Sequence, residues 1–227
     1  MTLLRRHRLA RLTDAGWRDI LRRDWDEQAR GLLAHWATHR LPLVVTRQSP
    51  GVVEGDTIAL GLPAPAEWGR RRLALQVPRS ALLLLDEFPR LDDVRACLPR
   101  EAHRPVRELA RALAGHRATA RVFGSYGWQV ISGRDHVGHA SDLDLWIGVD
   151  GIETADAVAR LLQGFGATRP RLDGELVFDH GDAVAWREWV EWRAGRSRAV
   201  LVKRLDGVRL EADARWCEAA ALEEIAA

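Results

Sequence analysis

Lysine is nearly missing from this chain. Of 34 basic residues one is lysine, Lys203, and the rest are arginine. A GC-rich coding sequence accounts for that bias. It also fills the surface with planar guanidinium groups suited to bidentate contacts with phosphate or carboxylate. Cysteine is scarce too. Cys97 and Cys217 are the only two, which excludes a disulfide scaffold. They match no metal-ligand spacing, and a reducing cytoplasm is the expected setting. Long apolar runs are lacking. Ala81-Leu82-Leu83-Leu84-Leu85 is the longest aliphatic stretch, far too short to cross a bilayer. The segment Met1 to Arg8 has no apolar core of signal-peptide length. Repeats and low-complexity tracts are also missing. What is present is a chain of 227 residues, 47% hydrophobic, with a net charge of +2. That is enough for a sizeable core in one large domain or two small ones.

Periodicity divides the chain. Trp17, Ile20, Leu21, Trp25, Ala29, Leu32, Leu33 and Trp36 recur at helical spacing, which predicts a helix over 16–40 with Asp14 as its cap, ended by Leu41-Pro42. Strands are expected at Leu43–Thr46, Thr57–Leu62 and Arg70–Val77, with a loop over 47–56. Residues 1–85 therefore read as a small N-terminal α/β domain. Residues 86–104, with Pro89, Pro99 and several charges, read as a linker in which Leu91, Val94 and Leu98 fit a short helix. From 105 to 227 the order is helix (Pro105 to Gly115), strand (Arg121–Phe123), strand (Leu143–Val149), helix capped by Thr154, strand (Glu175–Phe178), helix (Ala183–Trp192) and strand (Ala199–Lys203). The fold class is α+β, the second domain having a mixed sheet flanked by helices.

The chemistry concentrates in two short motifs. Asp142 and Asp144, in Ser141-Asp142-Leu143-Asp144-Leu145, share one face of a strand, with Leu143 and Leu145 toward a core. Like charges that close favour a bound cation, and Mg²⁺ takes one or two carboxylates plus substrate phosphates. Upstream, Gly124-Ser125 follows a strand and opens a helix, where backbone N–H groups and the helix dipole attract phosphate. Either motif alone is common. Strand, Gly-Ser, helix and Asp-x-Asp in sequence indicate metal-assisted transfer of a nucleotidyl group. A third carboxylate would bind a second metal or accept a proton. Glu175 is the first choice, Asp173 a close rival and Asp179 a weaker one.

This pattern resembles the nucleotidyltransferase superfamily of the DNA polymerase β type. The longer segment Gly124-Ser125-Tyr126-Gly127-Trp128-Gln129 … Gly133 … Ser141-Asp142-Leu143-Asp144-Leu145 is similar to the phosphoribosyl-dephospho-CoA transferases of malonate decarboxylase, the holo-acyl-carrier-protein synthases of that system. Asp173 to Phe178, Ala183 to Trp189 and the opening Arg6-His7-Arg8-Leu9 extend the likeness over most of the chain. The resemblance implies a cytoplasmic enzyme. Its donor would be triphosphoribosyl-dephospho-CoA and its acceptor a serine of the acyl-carrier subunit. Diphosphate would leave, and Mg²⁺ would be held by Asp142 and Asp144. Neither nucleic acid nor membrane is an implied partner. The alternatives are a nucleotidyltransferase using a nucleoside triphosphate, or an inactive carrier-binding module.

Around that centre, Gly124, Ser125, Arg121, Trp128 and Lys203 are expected to bind substrate, Trp128 by stacking and Lys203 at the diphosphate. Arg134 also lies near in sequence, though surface arginine is its default reading. His136 and His139 read as loop histidines, and Trp186, Trp189 and Trp192 as core. Residues 1–40 carry nine Arg against five Asp or Glu, a surplus of four. With Arg70-Arg71-Arg72 they suit an acidic partner. Arg47-Gln48 is a candidate lining for a cleft.

Overall fold

The computed structural model describes residues 4–49, 51, 56–167 and 169–218. Part of the expected 47–56 loop, residues 50 and 52–55, lies outside these. The chain forms two compact units. One comprises residues 1–88 with 128–136 and 205–207; the other holds 89–127, 137–204 and 208–227.

The first unit is built on strands β1 (Leu9–Leu12), β2 (Leu43–Val45), β3 (Thr57–Pro63), β4 (Arg72–Pro78) and β5 (Leu82–Asp86), in the order β4-β3-β2-β1-β5. Every pairing is antiparallel. Alternate residues of β3 and β4 (Ile58, Leu60 and Leu62 with Leu73, Leu75 and Val77) are buried, so one face of this sheet is apolar. The expected single helix is two, α1 (Asp14–Arg22) and α2 (Glu27–Thr38). The break is local chemistry. Asp26 accepts a hydrogen bond from the Ala29 amide at 2.8 Å and so caps a new helix. Trp25 turns back to donate to the Ile20 carbonyl at 2.8 Å. Thr13, not Asp14, caps α1, accepting from the Gly16 amide. Gln48 is also corrected. Its side chain is buried, donating to the Thr46 and Ala59 carbonyls and accepting from the Ala59 amide. It satisfies backbone groups that the short β2 leaves unpaired and does not line a cleft.

The second unit carries helices α3 (His103–Gly115), α4 (Gly124–Ser132, of which residues 124–127 belong here), α5 (Ile152–Gln163) and α6 (Trp186–Arg193). Its strands are β6 (Thr119–Val122), β7 (Leu143–Val149), β8 (Leu172–Phe178), β9 (Ala183–Ala185), β10 (Val200–Lys203) and β11 (Val208–Glu211). They lie in the order β11-β10-β9-β8-β7-β6. Only β7 and β8 run parallel, joined by the α5 crossover that such a pair requires. The mixed sheet and α+β class agree with expectation. Leu143, Leu145, Ile147, Leu172, Leu176, Phe178, Val184, Val200 and Val202 point to one face. There they pack with Val106 and Leu109 of α3, Val158 and Leu162 of α5, and Trp189 of α6. Leu91, Val94, Leu98 and Ala102, in the stretch read as a linker, are buried in this same core.

Two local readings change. Ala183–Ala185 is not helical but pairs with both β8 and β10, and the helix starts only at Trp186. Gly151, not Thr154, occupies the cap position of α5, while the Thr154 hydroxyl donates to Asp150. Among the described residues no helix is long and apolar enough to cross a membrane.

Gly174 fixes the closeness of the parallel pair. Its φ is +141° and a methyl group there would fall 2.1 Å from the Leu145 carbonyl oxygen. Backbone cannot yield as a flexible side chain can. Gly174→Ala is expected to destabilise the protein by about 3 kcal/mol or more, read as a lower urea midpoint. An unchanged midpoint would show that the strands separate without cost.

Candidate active site

The face of the second sheet opposite its core bears the charged residues. In the parallel register Asp144 lies beside Asp173 and Trp146 beside Glu175. Side chains alternate along each strand, so Asp144, Trp146, Asp173 and Glu175 share one face. Asp142 precedes β7 by one residue and Arg171 precedes β8 by one. Arg121 pairs with Trp146 from β6, and Lys203 with Ala183 of β9, on that same face.

The turn into α4 meets Asp144 directly. The Phe123 amide donates to the Asp144 carbonyl at 3.0 Å. Gly124 has φ +62°, and a methyl group on it would sit 1.9 Å from Asp144 Oδ2. Glycine is required because the carboxylate occupies the space of a side chain. Ser125, in the first turn of α4, is half-buried. The Gly-Ser turn and the second Asp of the Asp-x-Asp pair are thus adjacent in space.

The carboxylates are held differently. Arg171 forks onto Asp142, its Nε donating to Oδ1 at 3.1 Å and its Nη2 to Oδ2, and the same Nη2 lies 3.7 Å from Asp173 Oδ2. That guanidinium holds the Asp142 carboxyl below its usual range. Asp144 goes the other way. Burial first, then repulsion from Asp173 and Asp142, push its pKa up to about 7, with Arg171 only partly offsetting them. Glu175 is 5% exposed and accepts a hydrogen bond from Lys203 Nζ at 2.7 Å. With Asp142 drawn to Arg171 and Glu175 to Lys203, no three Asp, Glu, His or Cys side chains among the described residues converge as a metal would require.

Several expected roles shift as a result. Lys203 spends its charge on Glu175. Asp173, read as the rival to Glu175, is the acid beside Asp144. Asp179 is exposed and lies beyond the end of β8. Trp128 is corrected: it is 4% exposed, edge-on to Phe88 at 5.5 Å, so its faces are committed to packing. His136 is buried in the same unit, its Nε2 3.1 Å from the Ser132 hydroxyl, and burial lowers its pKa to about 4. His139 pairs with Arg169 at 2.9 Å. Arg134 lies 3.5 Å from Glu67. Sequence reading missed Arg171. Its signal was positional: any register that sets Leu172 beside Leu143 sets Arg171 beside Asp142.

The Asp144 shift has a stability consequence. Between about pH 4 and pH 7 the folded protein keeps a proton that the unfolded chain has released, so stability falls as pH rises through that window. Asp144→Asn removes the penalty. In chelator-treated protein it should raise stability by on the order of 2 kcal/mol above pH 7, after allowance for solvent screening, and by progressively less toward pH 4. Thermal melts across that range check it; a gain independent of pH would contradict the assigned cause.

Comparison with known proteins bears on the family rather than on the geometry. Residues 90–214 match the family model described as the phosphoribosyl-dephospho-CoA transferase MdcG C-terminal domain, and residues 5–85 match that of the N-terminal domain. A phosphoribosyl-dephospho-CoA transferase of Bradyrhizobium diazoefficiens is 35% identical over 206 residues, covering 90% of this chain and 88% of the relative. One from Xanthomonas axonopodis pv. citri is 34% identical over 211 residues, covering 90% and 92%. No solved structure matches.

Proposed function

Because the chain belongs to the phosphoribosyl-dephospho-CoA transferase family through both of its domains, we propose that it transfers the phosphoribosyl-dephospho-CoA group of triphosphoribosyl-dephospho-CoA to a serine of the acyl-carrier subunit of malonate decarboxylase, releasing diphosphate. The observation that carries this reading is the lateral pairing of Asp144 with Asp173 against the glycine that opens α4. A polyanionic donor needs positive charge and N–H donors at its phosphates and a carboxylate beside its acceptor. These strands supply that set.

In this reaction the serine oxygen attacks the phosphorus next to the ribose. The bond to diphosphate breaks, and its electron pair leaves with diphosphate. The serine proton passes to a carboxylate. Asp173 is the better acceptor, being half-exposed and beside Asp144, whereas Glu175 is buried and bound to Lys203. The α4 turn at Gly124 and Ser125 orients the terminal phosphates.

The donor set suits Mg²⁺. Asp142 and Asp144 offer hard oxygens, and a cation would offset the repulsion that, after burial, raises the Asp144 pKa. When bound, the ion neutralises charge on the phosphoryl oxygens and on the departing diphosphate. Arg171 must first release Asp142, a small cost for a side chain that is 62% exposed. Arg171→Gln is therefore expected to tighten Mn²⁺ binding several-fold, read by electron paramagnetic resonance without substrate. Equal or weaker binding would remove Arg171 as a competitor.

Intact-mass measurement of the carrier subunit tests the reaction. Incubation with donor and Mg²⁺ should add the mass of phosphoribosyl-dephospho-CoA, and Asp142→Ala should slow the gain on the order of a hundredfold or more. Addition of a nucleoside monophosphate from a nucleoside triphosphate would assign another nucleotidyltransferase. Stable carrier binding with no mass gain would leave a binding module.

A further inference from the structure

A cavity of about 480 Å³ opens in the second unit beside α6, within the range of about 300–1,000 Å³ common to small-molecule sites. Leu162, Phe165, Leu172 and Val190 give it an apolar wall, and Trp186 adds an indole. Its charges are Arg171, Arg187 and Glu191. The Glu191 charge is already met by a fork from Arg196, at 2.6 and 2.8 Å. Arg171 is likewise shared with Asp142, so Arg187 leaves the lining net positive, and Arg171 adds to it whenever it leaves Asp142.

Both arginines also face the carboxylate cluster. Arg171 holds Asp142. The Arg187 charge reaches Asp142 and helps lower its pKa. Arg187 is fixed in place: its guanidinium lies 4.2 Å over the Trp186 ring and donates to the Leu172 carbonyl at 2.9 Å. A guanidinium clamped against an indole and a carbonyl loses little further freedom when it meets a phosphate. An apolar wall with preset arginines on the side toward the acidic cluster suits a ligand that is part hydrocarbon and part phosphate.

Building on the proposed reaction, we propose that this cavity is the subsite for the dephospho-CoA portion of the donor. The base and pantetheine arm lie on the apolar wall. The internal diphosphate meets Arg171 and Arg187, and the triphosphate extends toward Asp142 and Asp144. The cavity thereby separates the true donor from a simple nucleoside triphosphate, which lacks the arm.

Calorimetric titration with dephospho-CoA in the presence of chelator isolates this subsite from the metal. Saturable binding to the full-length protein is expected. Arg187→Met, and separately Val190→Trp to fill the space, should each weaken it at least tenfold and raise the KM for donor by a similar factor. ADP should bind more weakly than dephospho-CoA, as the arm contributes. Absence of saturable binding, or equal affinity in wild type and both folded variants, would overturn the subsite. The two readings fail separately. Asp144→Asn should keep dephospho-CoA binding while losing transfer. A protein that binds dephospho-CoA in the cavity yet never labels the carrier would defeat the reaction alone; one that labels the carrier with KM unchanged in both variants would defeat the subsite alone.

Discussion

The parallel register of β7 against β8 is the constraint from which the site follows. Strand side chains alternate, so a slip of one residue would send every apolar group to the wrong face. Leu143, Leu145, Ile147, Leu172, Leu176 and Phe178 are buried in the core beneath the sheet. Burying each is worth roughly 1.5–3 kcal/mol, so together they outweigh the cost of ionising Asp144, about 4 kcal/mol at most, which comes first from burial and then from repulsion by Asp173 and Asp142. The core wins and the carboxylates are forced together. A charge conflict on one face of the sheet is sustained by packing on the other.

Counter-charge is supplied in two ways across one sheet face. Lys203 meets Glu175 where that acid is almost wholly buried, and removing the lysine would strand the carboxylate away from water. Arg171 meets Asp142 and Asp173 in solvent, where an ion pair is weak and can exchange partners. The same sheet thus carries a fixed pair and an exchangeable one. Asp144, which the Gly124 turn touches, stands beside Asp173 of the exchangeable set.

The Asp-x-Asp strand and the turn at Gly124 were legible because both obey local rules: a period of two, and a glycine between strand and helix. Asp173 and Glu175 were also visibly on one face of one strand. Ranking them required knowing that β8 lies parallel to β7 and that β10 brings Lys203 to Glu175, both non-local facts. The helix expected over Ala183–Trp192 failed for the same reason. Trp186, Trp189 and Trp192 set a helical rhythm that extends backward past Trp186, but pairing with β8 and β10 claims Ala183–Ala185. The break in the N-terminal helix was more accessible. Asp26 stands three residues before Ala29 as a capping residue should, and apolar spacing alone hid it. Trp128 misled because proximity in sequence to Gly124 says nothing about which way a helix turns its residues.

Lysine scarcity takes on meaning at this point. In a chain whose other basic residues are arginine, the one ammonium sits where an acid is most buried. A guanidinium is planar and presents its donors in a wide fork, which suits half-buried Asp142 and the open cavity beside α6. An ammonium is compact and reaches one carboxylate oxygen without displacing neighbours. Nζ of Lys203 approaches Glu175 Oε1 at 2.7 Å from the next strand but one, across the short β9 whose alanines leave room for it. The two cation types on this face are therefore divided by the space each must fill: arginine where the partner is open to water, lysine where it is buried.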